Sequence, residues 1–274
     1  MRQPVPVNLL ALNKVTALIL TYNEVSNISR TLDRLSWANR VVVVDSYSTD
    51  GTIELLERYP NVEVFYRKFD GFAQQCNYGL ELINTEWVLS MDADYVLSEP
   101  IIAEMNGIVR DGAADGAWAA FRYCVAGKPL NKDNTTPRKV LYRRQDAHYE
   151  NLGHQHRVNV PGTEVIMQHK IYHDDRKSLS RWLRSQDGYL TIEAEKINQS
   201  KYGDLDFADK VRKTKVLGPI VIFFYCLFVQ GLLFKGWWGW YYTLQRTLVE
   251  ILLVIKLVGI VKIDLEDYTS LPDE

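Results

Sequence analysis

The chain has 274 residues, 47% of them hydrophobic, which is enough for one full-sized core and an appendage. A formal net charge of -2 argues against a basic surface that tracks a nucleic-acid backbone, so no nucleic-acid partner is expected. Cys76, Cys124 and Cys226 form no CxxC pair, which points away from a zinc site or disulfide framework and toward a reducing compartment. The first candidate element, the apolar stretch 5–12, is interrupted by Asn8 and followed by Asn13 and Lys14 with no small-residue cleavage site, so it is not read as a signal peptide.

Residues 15–20 are a compact apolar run that predicts a strand buried on both faces, ended by the polar Thr21, Tyr22, Asn23 and Glu24. Ile28, Leu32 and Leu35 at helical spacing, with Ser26 or Asn27 as N-cap, predict a helix leading to a second strand at 41–44. The unit repeats: a polar loop at 45–51, helical character over 52–59, and a third strand at 62–66. A helix over 74–83 and a fourth strand over 86–90 follow, ending at Met91, Asp92, Ala93 and Asp94. Strands alternating with helices imply an α/β fold with a mostly parallel sheet, whose ligand crevice lies outside the carboxyl ends of the strands. The polar clusters at 22–24, 45–50 and 92–94 should therefore converge on one edge.

Residues 95–175 show no assignable period, and 179–197 read as a helix. Lys210, Arg212, Lys213 and Lys215 form a basic cluster ahead of 216–234, which carries no charge and approaches bilayer thickness at about 1.5 Å per residue. The aromatic run from Lys235 through Tyr242 suits a membrane interface, and 244–261 contains Arg246, Glu250 and Lys256, which disfavour a span and suit a helix lying in the interface. A buried helical hairpin is the alternative. The expected organisation is a catalytic domain over 1–200 and a basic linker with a helical membrane-associated tail over 201–274.

Asp92 and Asp94 stand two apart after a strand, where extended geometry puts both side chains on one side. Paired hard oxygens suit Mg²⁺ or Mn²⁺ bridging two phosphates, although an isolated pair of this kind is more often two solvated carboxylates. The shared edge with Asp45 and Glu24 favours the metal. The blocks Thr16 through Glu24, Val41 through Ser46 with Asp50, Gly51 and Thr52, and Trp87 through Asp94 resemble the three signature blocks of family 2 glycosyltransferases of GT-A fold. The nearest resemblance is to the lipopolysaccharide inner-core β-1,4-glucosyltransferase branch, with Gly71, Phe72, Gln75, Asn77 and Leu80 similar to a further block.

This resemblance implies a donor-binding set of Thr21, Tyr22, Glu24, Asp45, Gln75, Asn77 and Asp92. Asp45 would accept from the nucleobase edge, although capping the turn at Ser46 and Ser48 is its alternative use. Asp94 would hold the metal, with His173 completing the shell or simply satisfied by a carboxylate. Branch members carry a His-Glu pair near 151–158, where this chain has Gly153, His154, Gln155, His156 and Arg157. Glutamine takes up no proton at neutral pH, so His154, His156, Glu150 or Asp146 would act as base. Arg143, Arg144, Arg176 and Lys177 are phosphate-pairing candidates, each with a solvated surface charge as its plainer reading.

The activity expected is inverting transfer of a hexose, glucose in the first instance, from a UDP-sugar. The acceptor would be lipid-linked or a surface glycan, such as lipopolysaccharide core or exopolysaccharide, at the cytoplasmic face of the inner membrane. The rivals are a membrane-anchored nucleotide-sugar-binding protein without turnover and a nucleotidyltransferase. The latter lacks a Gly-rich, Lys-containing loop near the first strand.

Overall fold

The computed structural model describes residues 9–130, 137–152 and 155–259, with the backbone alone at 151, 152, 155 and 156. Contacts divide the chain into two compact units, Met1–Pro129 with Asp133–Arg176, and Leu130–Lys132 with Lys177–Glu274. The helix expected over 179–197 groups with the tail, and not with the catalytic part bounded at 200. Its Leu190, Ala194 and Ile197 form one apolar cluster with Val249, Leu253 and Leu257.

After a 3-10 turn at Leu10–Lys14, the first unit runs through β1 (Val15–Thr21), α1 (Ile28–Leu32), β2 (Val41–Asp45), α2 (Thr52–Leu56), β3 (Val62–Tyr66), α3 (Phe72–Glu81) and β4 (Trp87–Asp92). It continues with β5 (Tyr95–Val96), α4 (Glu99–Asp111), β6 (Gly116–Ala119), β7 (Phe121–Val125), β8 (Lys128–Pro129) and β9 (Arg138–Arg143). The hairpin β10 (His148–Leu152) and β11 (Gln155–Asn159), then β12 (Glu164–Ile166) and β13 (Ile171–His173), complete it. The central sheet has the order β12-β6-β9-β4-β1-β2-β3. Strands β4, β1, β2 and β3 are parallel and β9 is antiparallel, so the mostly parallel sheet expected from the alternation is what forms.

Every residue of β2 is buried, because both faces of the sheet are covered. One face packs Ile19, Val43 and Leu89 with α1 and α4 residues such as Ile28 and Met105, and the other packs Leu18, Val42 and Val88 with Ala73 and Leu80 of α3. Helix α3 comes this close because of Gly79, where a Cβ would stand 2.3 Å from Leu18 Cδ1. In β9, Ala117 pairs with Leu141 and Trp118 with Lys139, leaving Val140 as the extra residue of a β-bulge. A separate four-stranded sheet, β5-β13-β7-β8, carries the end of this unit.

The second unit contains α5 (Leu179–Gln199), α6 (Phe207–Lys213), α7 (Leu217–Phe224) and α8 (Gly236–Val258), with a π-helical segment Tyr225–Val229 after α7. The uncharged run 216–234 is thus not one helix. It breaks after Val229, where Gln230 caps the π segment and Gly231 turns left-handed at φ 68. Eight α-helical residues rise about 12 Å, far short of a bilayer core of about 30 Å. Among the described residues no helix is long and apolar enough to cross a membrane. The aromatic run from Trp237 to Tyr242 begins α8, and Arg212 of the basic cluster is held inside by Glu250 at 2.7 Å.

Candidate active site

The loops after β1 and β2 are joined by side-chain to backbone hydrogen bonds. Asn23 N donates to Ser48 Oγ at 2.7 Å, Thr49 N to Asn23 Oδ1 at 2.7 Å, and Glu24 N to Thr52 Oγ1 at 2.7 Å. Asn23 and Tyr47 sit at φ 55 and 63, a left-handed backbone that a non-glycine residue keeps only where its neighbours hold it. Asp45 ends β2 fully buried and accepts from Thr21 Oγ1 at 2.6 Å, Ser48 N at 2.7 Å and Ser48 Oγ at 2.6 Å. These three bonds occupy most of the roughly four acceptor positions of a carboxylate, so Asp45 serves the turn-capping use as well as standing at the edge. Gln75 is buried behind it, its Nε2 donating to Ser46 Oγ and Arg67 O.

Tyr22 is exposed beside this joint, and Tyr47 stacks on Tyr66 with centroids 5.8 Å apart and both rings open to solvent. A flat aromatic surface at the carboxyl ends of β2 and β3 is where a nucleobase could lie. The Tyr47–Tyr66 pair was not singled out from the sequence, where its signal is an aromatic residue two positions past β2 and another at the last position of β3.

Asp92 ends β4 half-exposed, with Arg138 Nη1 3.7 Å away, and Arg138 also donates to Tyr95 Oη at 3.2 Å. Burial pushes the Tyr95 hydroxyl well above its ordinary pKa, so it stays neutral beside the two aspartates. Asp94 is buried, and His173 Nε2 stands 3.1 Å from its Oδ2. Burial opposes a charge on His173, but the Asp94 carboxylate outweighs it and holds the imidazole above its usual pKa. A field that favours positive charge, with one or two carboxylates, fits a small divalent ion whose other ligands are phosphate oxygens and water. Among the described residues no group of three or more His, Cys, Asp or Glu is gathered around a metal position.

The segment 173–176 ties this centre to the first loop. Asp174, almost fully buried, accepts from Gly127 N at 2.9 Å and Arg176 Nε at 2.9 Å, with Arg30 Nε 3.5 Å away. Arg30 Nη2 donates to Asp174 O and to Asn27 Oδ1, while Asn27 Nδ2 donates to Glu24 Oε2 at 3.0 Å and Asp175 Oδ1 at 2.9 Å. Glu24 therefore faces this network from inside, and Arg176 belongs to it instead of standing free for phosphate. The sequence offers Asn27 only as a helix cap and gives no sign of Arg30 at the site, because their bonds to 174–176 span 144 to 149 residues.

Other expected residues lie elsewhere. Both amide atoms of Asn77 bond the Tyr149 backbone, at 2.9 and 2.7 Å, so this residue fastens α3 to β10 instead of facing a donor. Tyr149 points into the core against Tyr142 and Ser90, and strand alternation then turns Glu150 outward, beside His148 at 3.0 Å. The His148 hydrogen bond holds the Glu150 carboxyl below its usual value, which weakens it as a base. His154 and the side chain of His156 lie outside the described residues. Arg143 is held by Glu86 and Asp115 over the Trp87 ring, and Arg144 donates to Leu80 O, so both are structural.

Compared with known proteins, residues 16–174 match the family described as Glycosyl transferase family 2. An uncharacterized glycosyltransferase of Rickettsia felis is 32% identical over 172 residues, covering 59% of each chain. The lipopolysaccharide core biosynthesis glycosyltransferase LpsC of Rhizobium meliloti is 26% identical over 158 residues, 55% of this chain and 58% of that one. The chain thus spans less than two thirds of the length of these relatives. Among solved structures, the mannosyltransferase PcManGT of Pyrobaculum calidifontis, in complex with GDP-Man and Mn²⁺, is 15% identical with a TM-score of 0.45, covering 91% of this chain and 88% of that one. S. aureus TarS 1-349, in complex with UDP-GlcNAc, gives 16% and 0.47 over 89% and 83%.

Proposed function

The chain belongs to glycosyl transferase family 2, and from that premise we propose that it moves a hexose, glucose in the first instance, from a UDP-sugar to a glycan acceptor with inversion at the anomeric carbon. The observation that supports this reading most is the joined pair of loops after β1 and β2, beside Asp92 and Asp94 at the end of β4. In this reading Tyr47, Tyr66 and Tyr22 offer flat surfaces to the base. Asp45 and Thr21 read its edge through the acceptor capacity they have left, and Asp92 lies near the ribose and diphosphate. Asp94, with His173 beside it, would hold a Mg²⁺ or Mn²⁺ ion, whose chemistry there is to neutralise the departing diphosphate.

The acceptor hydroxyl needs a base on the face opposite the leaving group. Because Glu150 is turned outward and is a weakened base, the role is left to His154, His156 or Asp146. The resemblance to a lipopolysaccharide core enzyme supports a lipopolysaccharide core or exopolysaccharide acceptor, and the composition of 210–258 supports a location at the cytoplasmic face of the inner membrane. A second reading, a donor-binding protein without turnover, is favoured by Gln155 where an acid is expected.

Incubating the full-length protein with UDP-glucose and Mn²⁺ tests the two. The proposed enzyme releases UDP slowly without acceptor and faster with core oligosaccharide. Tight UDP binding with no hydrolysis or transfer from any of a panel of nucleotide sugars would sink the transferase and leave the binding protein.

A further inference from the structure

Beside its apolar cluster the second unit buries an ionic one: Arg212 on α6 meets Glu250 of α8 at 2.7 Å and Asp209 at 3.1 Å, and Lys196 of α5 reaches Asp209 at 3.0 Å. Glu250 and Asp209 are each only 3% exposed. Burial opposes the Arg212 charge, yet its hydrogen bonds to Glu250 outweigh that cost and raise its pKa further. The outer faces of α7 and α8 are apolar. On α7 and the π segment the exposed hydrophobics include Leu217, Ile220, Phe224 and Phe228 at helical spacing, with Val221, Tyr225 and Val229 beside them. On α8 they include Trp237, Trp240, Tyr241, Leu244 and Ile251.

These helices form an antiparallel hairpin. Gly218 at the start of α7 lies against Glu250, with Glu250 Oε2 3.3 Å from where its Cβ would be, and Phe223 near the end of α7 lies 6.4 Å from Trp240 near the start of α8. At the turn between them Phe234 is 91% exposed. Lys215 precedes α7 and Lys235 precedes α8, so a cation stands at each end of the hairpin. Contiguous exposed apolar faces of this kind mark a surface that meets a partner or a membrane.

We infer that this hairpin seats in one leaflet of an anionic membrane, its apolar stripes against the acyl chains and Lys215 and Lys235 among the headgroups. This deepens the location proposed above by naming the surface and the lipid charge, and it does not need the transferase reading. Three features favour lipid over a second copy of the chain. The aromatic residues gather at the Trp237–Tyr241 end, as at a bilayer interface. No charged residue alternates with the stripe of α7 to set a protein register. The lysines at the ends match anionic headgroups, each contributing about 1 kcal/mol near a charged surface.

The test uses the full chain and sealed vesicles of phosphatidylcholine, alone or with a quarter phosphatidylglycerol. The protein should sediment with the anionic vesicles and be released by salt. Phe228→Glu with Trp237→Glu, both at exposed sites, should weaken binding by about tenfold or more, and Lys215→Ala by about fivefold. A cooperative melt like that of the parent shows that the variants fold. Cysteines placed by Lys215→Cys and Lys235→Cys should both react with an impermeant thiol reagent added outside, as one-leaflet seating requires. Protection of one of them, or vesicle binding unmoved by the substitutions, overturns the proposal. So does a concentration-dependent dimer abolished by the same substitutions in the absence of vesicle binding. UDP-glucose hydrolysis is measured alongside: its loss with binding intact counts against the transferase alone, and the converse counts against the membrane seat alone.

Discussion

The first unit buries apolar residues between two covered sheet faces and presents its carboxylates and tyrosines at one edge, whereas the second buries an ion-pair network and presents phenylalanines and tryptophans. The same hydrophobic effect explains both once the surroundings differ. In water, β2 hides Val41 through Val44 and places Asp45 at its end, and α3 gives up a side chain at Gly79 to pack on Leu18. The helices of the second unit satisfy their buried charges among themselves and leave apolar stripes exposed, which the proposed membrane seat would cover.

The contrast can be broken first at Glu250. Glu250→Ala should destabilise the protein by about 3 kcal/mol, because Arg212 keeps only Asp209 and Glu193 as partners, while Arg212→Met with Glu250→Leu should recover most of that loss in urea melts. A single variant as stable as the parent would mean that the ionic centre is dispensable. Asp94→Asn should slow donor hydrolysis by about a hundredfold while the melt stays cooperative, since the amide keeps the shape of the buried carboxylate beside His173. Unchanged hydrolysis would remove Asp94 from the metal role. Gly79→Ala should cost about 2 kcal/mol as the new Cβ meets Leu18, and a neutral result would show that α3 can shift outward.

The smallest effect concerns pH. Burial opposes the Asp209 charge, but hydrogen bonds from Lys196 and Arg212 outweigh it and hold the carboxyl below its ordinary value. A folded pKa below the unfolded one means that this stability is complete above about pH 4 and is lost as pH falls through the folded value. Acid titration of Asp209→Asn should therefore lack that loss, and an identical acid limb would exclude Asp209 from it.

The strands of the first half were legible because 15–20, 41–44 and 86–90 are apolar runs bounded by polar turns. The convergence of Thr21, Asp45, Asp92 and Asp94 on one edge followed from their places after parallel strands. Residues 95–175 were not legible, since β5, β8, β12 and β13 have two or three residues each and carry no measurable period. Even α4 went unassigned, although Pro100 near its start and Gly112 past its end are ordinary boundary signals. Asn77 is assigned to the donor by its place in a motif block, and Glu150 to the acceptor as a neighbour of the altered pair at 154 and 155. Their directions depend on which face of α3 meets β10 and on which side of β10 Tyr149 enters the core. The run 216–234 read as continuous because hydropathy does not register the turn at Gly231.

The Asp174 carboxylate also bears on when the chain becomes competent during synthesis. Asn27 and Arg30 lie in the first tenth or so of the sequence, yet their partners Asp174, Asp175 and Arg176 arrive about 150 residues later. Contacts closed over such a span form late. A nascent chain that has released β1 through β4 from the ribosome holds every strand of the parallel core while the loop at 24–30 still lacks its acceptors. The donor side is then expected to order only when the end of the first unit emerges, so a fragment ending at Ile171 should protect the amides of β1 and β2 from hydrogen exchange but not those of Asn27 through Arg30.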